Sequence, residues 1–307
     1  MNSGLRMRGI VAGLAACCFA AGAWATSLVP EPAQAGPAYG KPARAAEAAQ
    51  TSAPAARAIT LAPHITELIF AAGAGDKIVG TVSSSDFPAA AKAIPRVGDG
   101  MNANVENTLT LRPDVVIAWQ PSGAAQTLAP TLSRLGIPLL YSQPQALDDI
   151  PAQILRFGKL FATEKTALPA ARALAARIQA LRSSHGRAKP VTVFIEVGAS
   201  PLSTIGADPL LNDALRICGG VNIYADTTLA APQVGVESVL VKRPDVVIAP
   251  TTGNARLDET RTRWAALHLS AALKGHVYGI DPDALFRPGP RLVDATEALC
   301  KALDQAR

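Results

Sequence analysis

The sequence predicts an α/β protein with two similar lobes of mainly parallel sheet, joined by one long rigid helix and separated by a cleft. Three observations support this prediction. The stretch "RPDVVIA" occurs at residues 112–118 and again at 243–249. Apolar strand-like runs alternate with helix-like segments on both sides of residues 147–188, which is typical of parallel sheets covered by helices. Residues 147–188 show helical periodicity and no strand signal.

The first 25 residues have the layout of a secretory signal peptide. A basic start is followed by an apolar run of about fourteen residues and by "AWA" at 23–25, the small-residue pattern that precedes signal cleavage. The apolar run is too short for a membrane span. We therefore expect export, with cleavage after Ala25. The alternative is a lipoprotein, because "LAAC" at 14–17 resembles a site where Cys17 would become a lipidated N-terminus.

Residues 26–57 are rich in Ala and Pro and have no apolar period. This composition is typical of a disordered linker. The folded part is therefore expected to begin at residue 58.

The N-terminal lobe, which we place at residues 58–146, begins with a short strand at 58–61. The next segment, "HITELIFAAGAG", has apolar residues at helical spacing and two glycines as stop signals. Alternating elements follow: the strand "KIVGTV", a loop at 83–102, a helix from Val105, the strand "DVVIAW", the helix "QTLAPTLSRLG" and the strand "IPLLYSQ".

The segment at 147–188 is predicted to be a helical spacer, with at most a break near residues 162–163. Strand and helix patterns resume in the C-terminal lobe, which we place at 189–307. Its elements are the strand "VTVFIEV", the helices "PLLNDALRICGG" and "VESVLVKR", the strand "DVVIAP", the helix "RTRWAALHLSAALKG", the strand "HVYGI" and a terminal helix from about residue 290.

The repeated stretch joins a helix to a buried strand in both lobes. In "VENTLTLRPDVVIAW" and "VESVLVKRPDVVIAP" the proline marks the helix exit, and Val-Glu stands at the same distance before it, with Glu106 in one copy and Glu237 in the other. The alternative is that a good buried strand arose twice. The Val-Glu at the same position in both copies favours two lobes with the same arrangement of helix and strand.

Two cysteines, Cys218 and Cys300, remain once the leader is removed. An even pair in an exported chain most simply forms one disulfide. On the chain-entropy model this bond would lower the entropy of the unfolded chain and so stabilise the fold by about 4 kcal/mol. The alternative is two separate buried thiols. No His or Cys lies at ligand spacing beside either residue, so we expect no metal site.

Composition and motifs argue against several classes of function. The net charge of +5 is spread thinly and aromatic residues make up 5% of the chain, so a nucleic-acid surface is not expected. The sequence contains no G-x-S-x-G, H-E-x-x-H, P-loop or C-x-x-C motif. The glycines of "GAGDKIVG" follow a helix, so they indicate a helix cap and turn. His64 is interpreted as a partly exposed residue near a helix cap, with a place in the cleft as the alternative.

An exported protein with two α/β lobes and no catalytic set is expected to bind a solute in the crevice between its lobes. We therefore expect no enzymatic activity. The competing hypothesis is a secreted α/β enzyme with an unrecognised site.

From residue 59 to the C-terminus, the chain resembles the periplasmic substrate-binding proteins of ABC importers whose lobes are joined by one rigid helix. The matching stretches are "ITLAPHITELIFAA", "SDFP" at 85–88, "GMN" at 100–102, "RPDVVIAW", "CGGVNIYAD", "PQV" at 232–234 and "FRPGPRLVDATEALC". The resemblance is strongest to cobalamin-binding members, while haem and iron-siderophore receptors share the layout. It implies a periplasmic protein, monomeric when free, with a corrinoid such as cobalamin as its transported ligand and no cofactor.

The resemblance implies contacts with an inner-membrane ABC permease dimer. In the cobalamin-binding members a glutamate from each lobe docks into arginine pockets of the permease, and Glu106 and Glu237 stand at the matching positions. Charge pairing of this kind sets orientation and on-rate. Each glutamate also suits the first turn of a helix, where an acid is favourable. The resemblance also pairs Cys218 with Cys300.

For the ligand cleft, the resemblance points to Trp119, Asp283 and Arg287. An indole can pack against a corrin edge, while Asp and Arg can bond its peripheral amides. The alternative for Trp119 is that it only covers the core.

The cobalamin-binding members have clefts rich in aromatic side chains, whereas Ser84, Val197 and Ala231 stand at matching positions here. The cleft therefore takes cobalamin through other contacts, or takes another corrinoid, a haem or a siderophore. A haem receptor would need Tyr or His near the cleft loops, where Phe87 and Met101 stand. An anionic siderophore would need more cations than Arg96 and Arg287.

Overall fold

The computed structural model describes residues 53–307. The predicted signal peptide, the lipidation site at Cys17 and most of the predicted linker lie outside these residues. The end of that linker already contacts the folded body, because the amide of Ala55 donates to the carbonyl of Leu160 at 2.9 Å.

The first sheet has five parallel strands in the order β3-β2-β1-β4-β5. The strands are β1 (Ala58–Thr60), β2 (Ile78–Val82), β3 (Arg96–Gly98), β4 (Val115–Ala118) and β5 (Leu139–Tyr141). The helices of this lobe are α1 (Pro63–Ala71), α2 (Val105–Thr110) and α3 (Ala124–Arg134), with short 3₁₀ turns at Gly75–Lys77 and Ala89–Ala93. Parallel order places the carboxyl ends of all five strands at one edge of the sheet.

The second sheet is mainly parallel. Its strands are β6 (Val191–Ala199), β7 (Leu202–Thr204), β8 (Gly220–Asn222), β9 (Val246–Pro250) and β10 (Val277–Ile280). The order is β10-β9-β6, with β8 beside the first half of β6 and β7 antiparallel to its second half. The helices are α6 (Pro209–Ile217), α7 (Val236–Lys242), α8 (Asn254–Ala266), α9 (Ser270–Leu273), α10 (Pro282–Leu285) and α11 (Arg291–Gln305).

Two helices lie between the sheets, α4 (Asp149–Leu160) and α5 (Glu164–His185). The helical conformation is interrupted between them, where Ala162 adopts a left-handed φ of 54°. This is the position at which the sequence allowed a break. Helix α5 has 22 residues and is therefore about 33 Å long. It contacts α1 and α4 on one side and α6 and α11 on the other, so this single helix connects the two lobes.

One core runs through both lobes. Its buried apolar side chains come from α1, α4, α5, α6 and α11 as well as from both sheets, and include Ile65, Phe157, Ile178, Leu215 and Val293. Each sheet has a second apolar cluster on its other face. The continuous core explains how two sheets joined by a helix form one packed body.

Both copies of the repeat fold alike at their amino ends. Arg112 and Arg243 take left-handed φ angles of 45° and 47° where α2 and α7 end. The Asp114 carboxylate then accepts from the amide of Ala56 at 2.7 Å, while the Asp245 carboxylate accepts from the amide of Thr192 at 2.9 Å. In each lobe the aspartate therefore fixes the start of the neighbouring strand.

The disulfide between Cys218 and Cys300 is present, with an S–S distance of 2.03 Å and a sequence separation of 82 residues. It joins the end of α6 to α11, and the predicted pairing is confirmed. Within residues 53–307, none of the helices combines the length and the apolar character needed to cross a membrane.

The structure differs from the sequence prediction in some short elements, among them α10, which was not predicted. The expected helix over "RTRWAALHLSAALKG" is two helices, α8 and α9, because His268 takes a left-handed φ of 56° between them. Strands β3, β7 and β8 were not predicted. Each has only three residues, too few for a period of two to show.

Candidate ligand cleft

The predicted ligand residues of the first lobe follow the carboxyl ends of its strands. Trp119 comes directly after β4, and 43% of it is exposed. Ser84 and Phe87 follow β2, and both are exposed. The carbonyl of Ser84 accepts from the amide of Asp86 at 3.1 Å.

The predicted ligand residues of the second lobe are more dispersed. Asp283 lies in α10, Arg287 follows α10, and Ala231 is exposed on the loop between β8 and α7. Val197 is half-buried in β6 and lines a cavity of about 90 Å³ with Pro250, at the carboxyl ends of β6 and β9. Among the hydrogen bonds and ion pairs of residues 53–307, none brings Val197 or Ala231 together with Arg287.

Two arginines of the second lobe reach carboxylates of the first. Arg291, at the start of α11, grips Glu67 of α1 through two bonds, Nε to Oε2 at 3.0 Å and Nη2 to Oε1 at 2.6 Å. Arg287 donates to Asp86 at 2.6 Å and lies 3.5 Å from Glu67. It also pairs with Asp283 at 2.8 Å. We call Glu67, Asp86, Asp283, Arg287 and Arg291 the interlobe network.

The interlobe network is buried at its centre and open at its rim. The Glu67 side chain is 2% exposed, whereas those of Asp86 and Asp283 are 47% and 51% exposed. The hydrogen bond from Arg287 lowers the pKa of Asp86, and the hydrogen bond to Glu67 raises the pKa of Arg291. Both shifts favour the charged forms of Asp86 and Arg291, and the acidic rim formed by Asp86 and Asp283 faces solvent.

Phe87 is attached to the network through a cation–π contact. The guanidinium carbon of Arg291 lies 4.4 Å from the centre of the Phe87 ring. Such a contact orients the ring as well as stabilising the cation. The structure thus brings together Phe87, Asp283 and Arg287, three of the residues that the sequence assigned to the cleft.

Trp119 rests on His64. The two rings meet edge to face, with centroids 5.5 Å apart and planes at 77°. His64 is 1% exposed, and its Nε2 lies 3.4 Å from the carbonyl oxygen of Ser142. Burial lowers the pKa of His64 to about 4, with a smaller contribution from the charge of Arg287. The imidazole is therefore neutral near pH 7.

His64 is buried beneath Trp119, so the expectation of a partly exposed cap residue was wrong. Glu67 and Arg291 were not among the residues that the sequence predicted for the site. Both appear in matching stretches, but a helical glutamate and an arginine at a helix start have ordinary solvent-exposed interpretations. Nothing in the spacing from 67 to 291 indicates that the two side chains meet.

The two proposed docking residues occupy equivalent positions. Glu106 and Glu237 are exposed in the first turns of α2 and α7. Neither forms an ion pair with another residue of the described chain. Both carboxylates are therefore available to cations of another molecule.

The described part of the chain, residues 53–307, holds no group of three or more His, Cys, Asp or Glu side chains that could bind a metal ion. The polar groups of the interlobe network can bond amide and hydroxyl partners, since carboxylates accept and guanidinium groups donate hydrogen bonds.

A family model described as "Periplasmic binding protein" matches residues 59–284, most of the chain. The chain belongs to the periplasmic binding protein family. Members of this family are binding proteins of the periplasm, and the two-lobed fold agrees with that membership.

Comparison with one relative's sequence and with two solved structures illustrates the similarity. A Vibrio cholerae protein named vitamin B12-binding protein is 37% identical over 83% of this chain and 91% of its own. The crystal structure of BtuF, the periplasmic vitamin B12 binding protein of Vibrio cholerae, matches 82% of this chain and 98% of its own, with 36% identity and a TM-score of 0.75. The periplasmic heme-binding protein RhuT of Roseiflexus sp. RS-1 matches 81% and 98%, with 26% identity and a TM-score of 0.70.

Proposed function

We propose that this protein captures cobalamin, a corrinoid, in the cleft between its lobes and delivers it to an ABC importer. The observation that carries the proposal is the 37% identity, over 83% of the chain, with a protein named vitamin B12-binding protein. The protein acts as a carrier and the corrinoid is its cargo, so no catalytic cofactor is required.

The chemistry of the cleft suits a corrinoid. A corrin has an apolar ring edge and peripheral amides. Trp119 offers a half-exposed indole for the ring edge, and Phe87 offers a second ring held by Arg291. The exposed Asp283 carboxylate can accept from an amide N–H, while Arg287 has five N–H groups, more than its carboxylate partners use.

Ser84, Val197 and Ala231 are small side chains at positions where the resemblance implies aromatic rings. We propose that the ligand contacts these positions over a smaller apolar area, so that Trp119 and the rim of the interlobe network contribute a larger share of the binding free energy.

Delivery depends on Glu106 and Glu237. Both carboxylates are exposed, both lie at helix starts, and each belongs to a different lobe. A permease dimer that presents one cationic pocket per subunit could engage both at once, which would fix the orientation of the cleft over the translocation path.

The test is a titration of the purified mature protein with cyanocobalamin, cobinamide, haemin and a ferric hydroxamate, followed by tryptophan fluorescence. Trp119 is exposed while Trp264 is fully buried, so a ligand in the cleft should quench Trp119. We expect saturable quenching by the corrinoids and its loss in Trp119→Phe. A flat response to both corrinoids would contradict the proposal, and a tight response to haemin alone would assign the cleft to haem.

A further inference from the structure

Glu67 is a buried carboxylate that the ligand does not need to touch. It lies in α1 of the first lobe, and its side chain is 2% exposed. A buried charge is costly unless it is paired and hydrogen-bonded. Here both pairing cations, Arg287 and Arg291, come from the second lobe. The charge of Glu67 is therefore balanced only while the segment that carries these arginines lies against α1.

The segment between α10 and α11 passes beside α1. A Cβ atom at Gly289 would lie 3.4 Å from the Cβ of His64 and 3.5 Å from Oε2 of Glu67. These are ordinary van der Waals distances, so the Gly289 backbone passes beside both side chains with room for one methyl group between them. Glu67 and His64 together form the surface on which this segment of the second lobe rests.

Two proposed ligand residues, Phe87 and Asp283, contact the two arginines, and a third, Arg287, is one of them. Arg291, gripped by Glu67, covers the ring of Phe87. Arg287, 3.5 Å from Glu67, bonds Asp283. Without Glu67, both guanidinium groups would lose their buried carboxylate and could shift toward Asp86 and Asp283 at the exposed rim.

We infer that Glu67 is a positioning residue for the ligand cleft, which holds Arg287 directly and fixes Phe87 and Asp283 in their binding orientation through Arg291 and Arg287. The inference rests on the proposed function, because it concerns how the same cleft is held ready for a corrinoid. A merely structural Glu67 would stabilise the fold without affecting ligand affinity.

The test compares Glu67→Gln with a matched control, Asp213→Asn. Asp213 is also a buried carboxylate; it pairs with Arg216 and accepts from the amide of Leu147 at 2.9 Å. Calorimetric titration with cyanocobalamin should show at least a tenfold weaker Kd for Glu67→Gln and a change of less than twofold for Asp213→Asn. A Kd within twofold of the wild type for a folded Glu67→Gln would overturn the inference.

A double-mutant cycle separates positioning from general destabilisation. If Glu67 acts through the Arg287 and Asp283 pair, the effects of Glu67→Gln and Asp283→Ala on Kd should be clearly less than additive. Additive effects would overturn the inference. Arg291→Lys keeps the charge but cannot form the two-bond grip, so it should weaken binding by a similar factor and serves as the second variant if Glu67→Gln does not fold.

A ligand-free measurement distinguishes failure of this inference from failure of the proposed function. Spin labels on Thr110→Cys and Val241→Cys, exposed sites in α2 and α7, report the distance between lobes. If no corrinoid binds the wild type, the proposed function fails, and the spin-label distances alone test Glu67. Broadening in Glu67→Gln but not in Asp213→Asn would support its positioning role, whereas identical distributions would overturn it.

Discussion

The two copies of "RPDVVIA" are alike where the strand begins and different where it ends. At the start, Arg112 and Arg243 share a left-handed backbone, and an aspartate in each copy accepts from the neighbouring strand's first amides. At the end, one copy leads to Trp119, which packs on His64, and the other to Pro250 beside a cavity of about 90 Å³. The starts of the two strands have the same role in both sheets. An asymmetric ligand can therefore be recognised only at the strand ends, where Trp119 and Pro250 differ.

The exposed glutamates before each copy give the largest expected effect. Glu106→Arg combined with Glu237→Arg should lower uptake of labelled cyanocobalamin by at least about 100-fold, because like charges would then face the permease pockets. The Kd for the ligand should stay within twofold. Glu164 is an exposed acid in the first turn of α5, so Glu164→Arg is the matched control and should leave uptake intact. Normal uptake by the double variant would remove the docking role.

His64, beneath the divergent end of the first copy, predicts a pH effect on stability. Its folded pKa of about 4 lies below the ordinary 6.5, so between these values the unfolded chain binds a proton that the folded chain does not. Stability should therefore fall by about 3 kcal/mol as the pH drops from 6.5 to 4. His64→Gln should flatten this part of the profile in urea unfolding, while the same exchange at the exposed His268 should not. An unchanged profile in His64→Gln would contradict the account.

Trp119 and Pro250 offer the direct contrast at the strand ends. Trp119→Ala should weaken cyanocobalamin binding by about 10 to 100-fold, since an aromatic contact of this size contributes about 1.5–3 kcal/mol. Pro250→Ala should change the Kd by less than twofold. Calorimetric titration measures both. Equal losses from the two variants would mean that the ligand does not distinguish the copies.

Asp114 and Asp245, the aspartates of the two repeat copies, should contribute equally to stability. Asp114→Ala and Asp245→Ala each leave two or more amide or hydroxyl donors without their carboxylate, at a cost of about 1–3 kcal/mol in the free energy of unfolding. Ligand affinity should not change in either variant. Chemical denaturation of both proteins checks this, and a loss confined to one lobe would show that the starts of the two strands are not equivalent.

Substitution of Arg112 and Arg243, the arginines that begin the two repeat copies, should give the smallest effect. A non-glycine residue in the left-handed region costs about 1 kcal/mol, partly offset by the extra entropy of glycine in the unfolded chain. Arg112→Gly and Arg243→Gly should therefore each raise stability by about 0.5 kcal/mol in thermal unfolding. Arg134→Gly, in the last turn of α3, should lower it, because glycine is unfavourable in a helix.

Local patterns predicted most of the fold. Apolar runs such as "DVVIA" and helical periodicity near residue 65 depend on near neighbours, and strands β4 and β9 and helix α1 form where the sequence indicated. The break at Ala162 was also visible. Three-residue strands such as β7 could not be predicted, since their pairing partner rather than their own sequence defines them.

The candidate site was only partly accessible from the sequence. Trp119, Asp283 and Arg287 were named from the family resemblance and Phe87 stands in one of its matching stretches, and the geometry brings the last three of these together. The partner of the two arginines, Glu67, lies more than two hundred residues away in the chain. Its role depends on how the lobes meet, which no local pattern contains.

The most direct test of the asymmetric cleft is a crystal structure of the protein with cyanocobalamin, phased at the cobalt absorption edge. We expect a single cobalt peak between the lobes, with the corrin edge against Trp119 and peripheral amides near Asp283 and Arg287. A cobalt peak outside the cleft, or a corrin that contacts Pro250 and leaves Trp119 in solvent, would contradict the account.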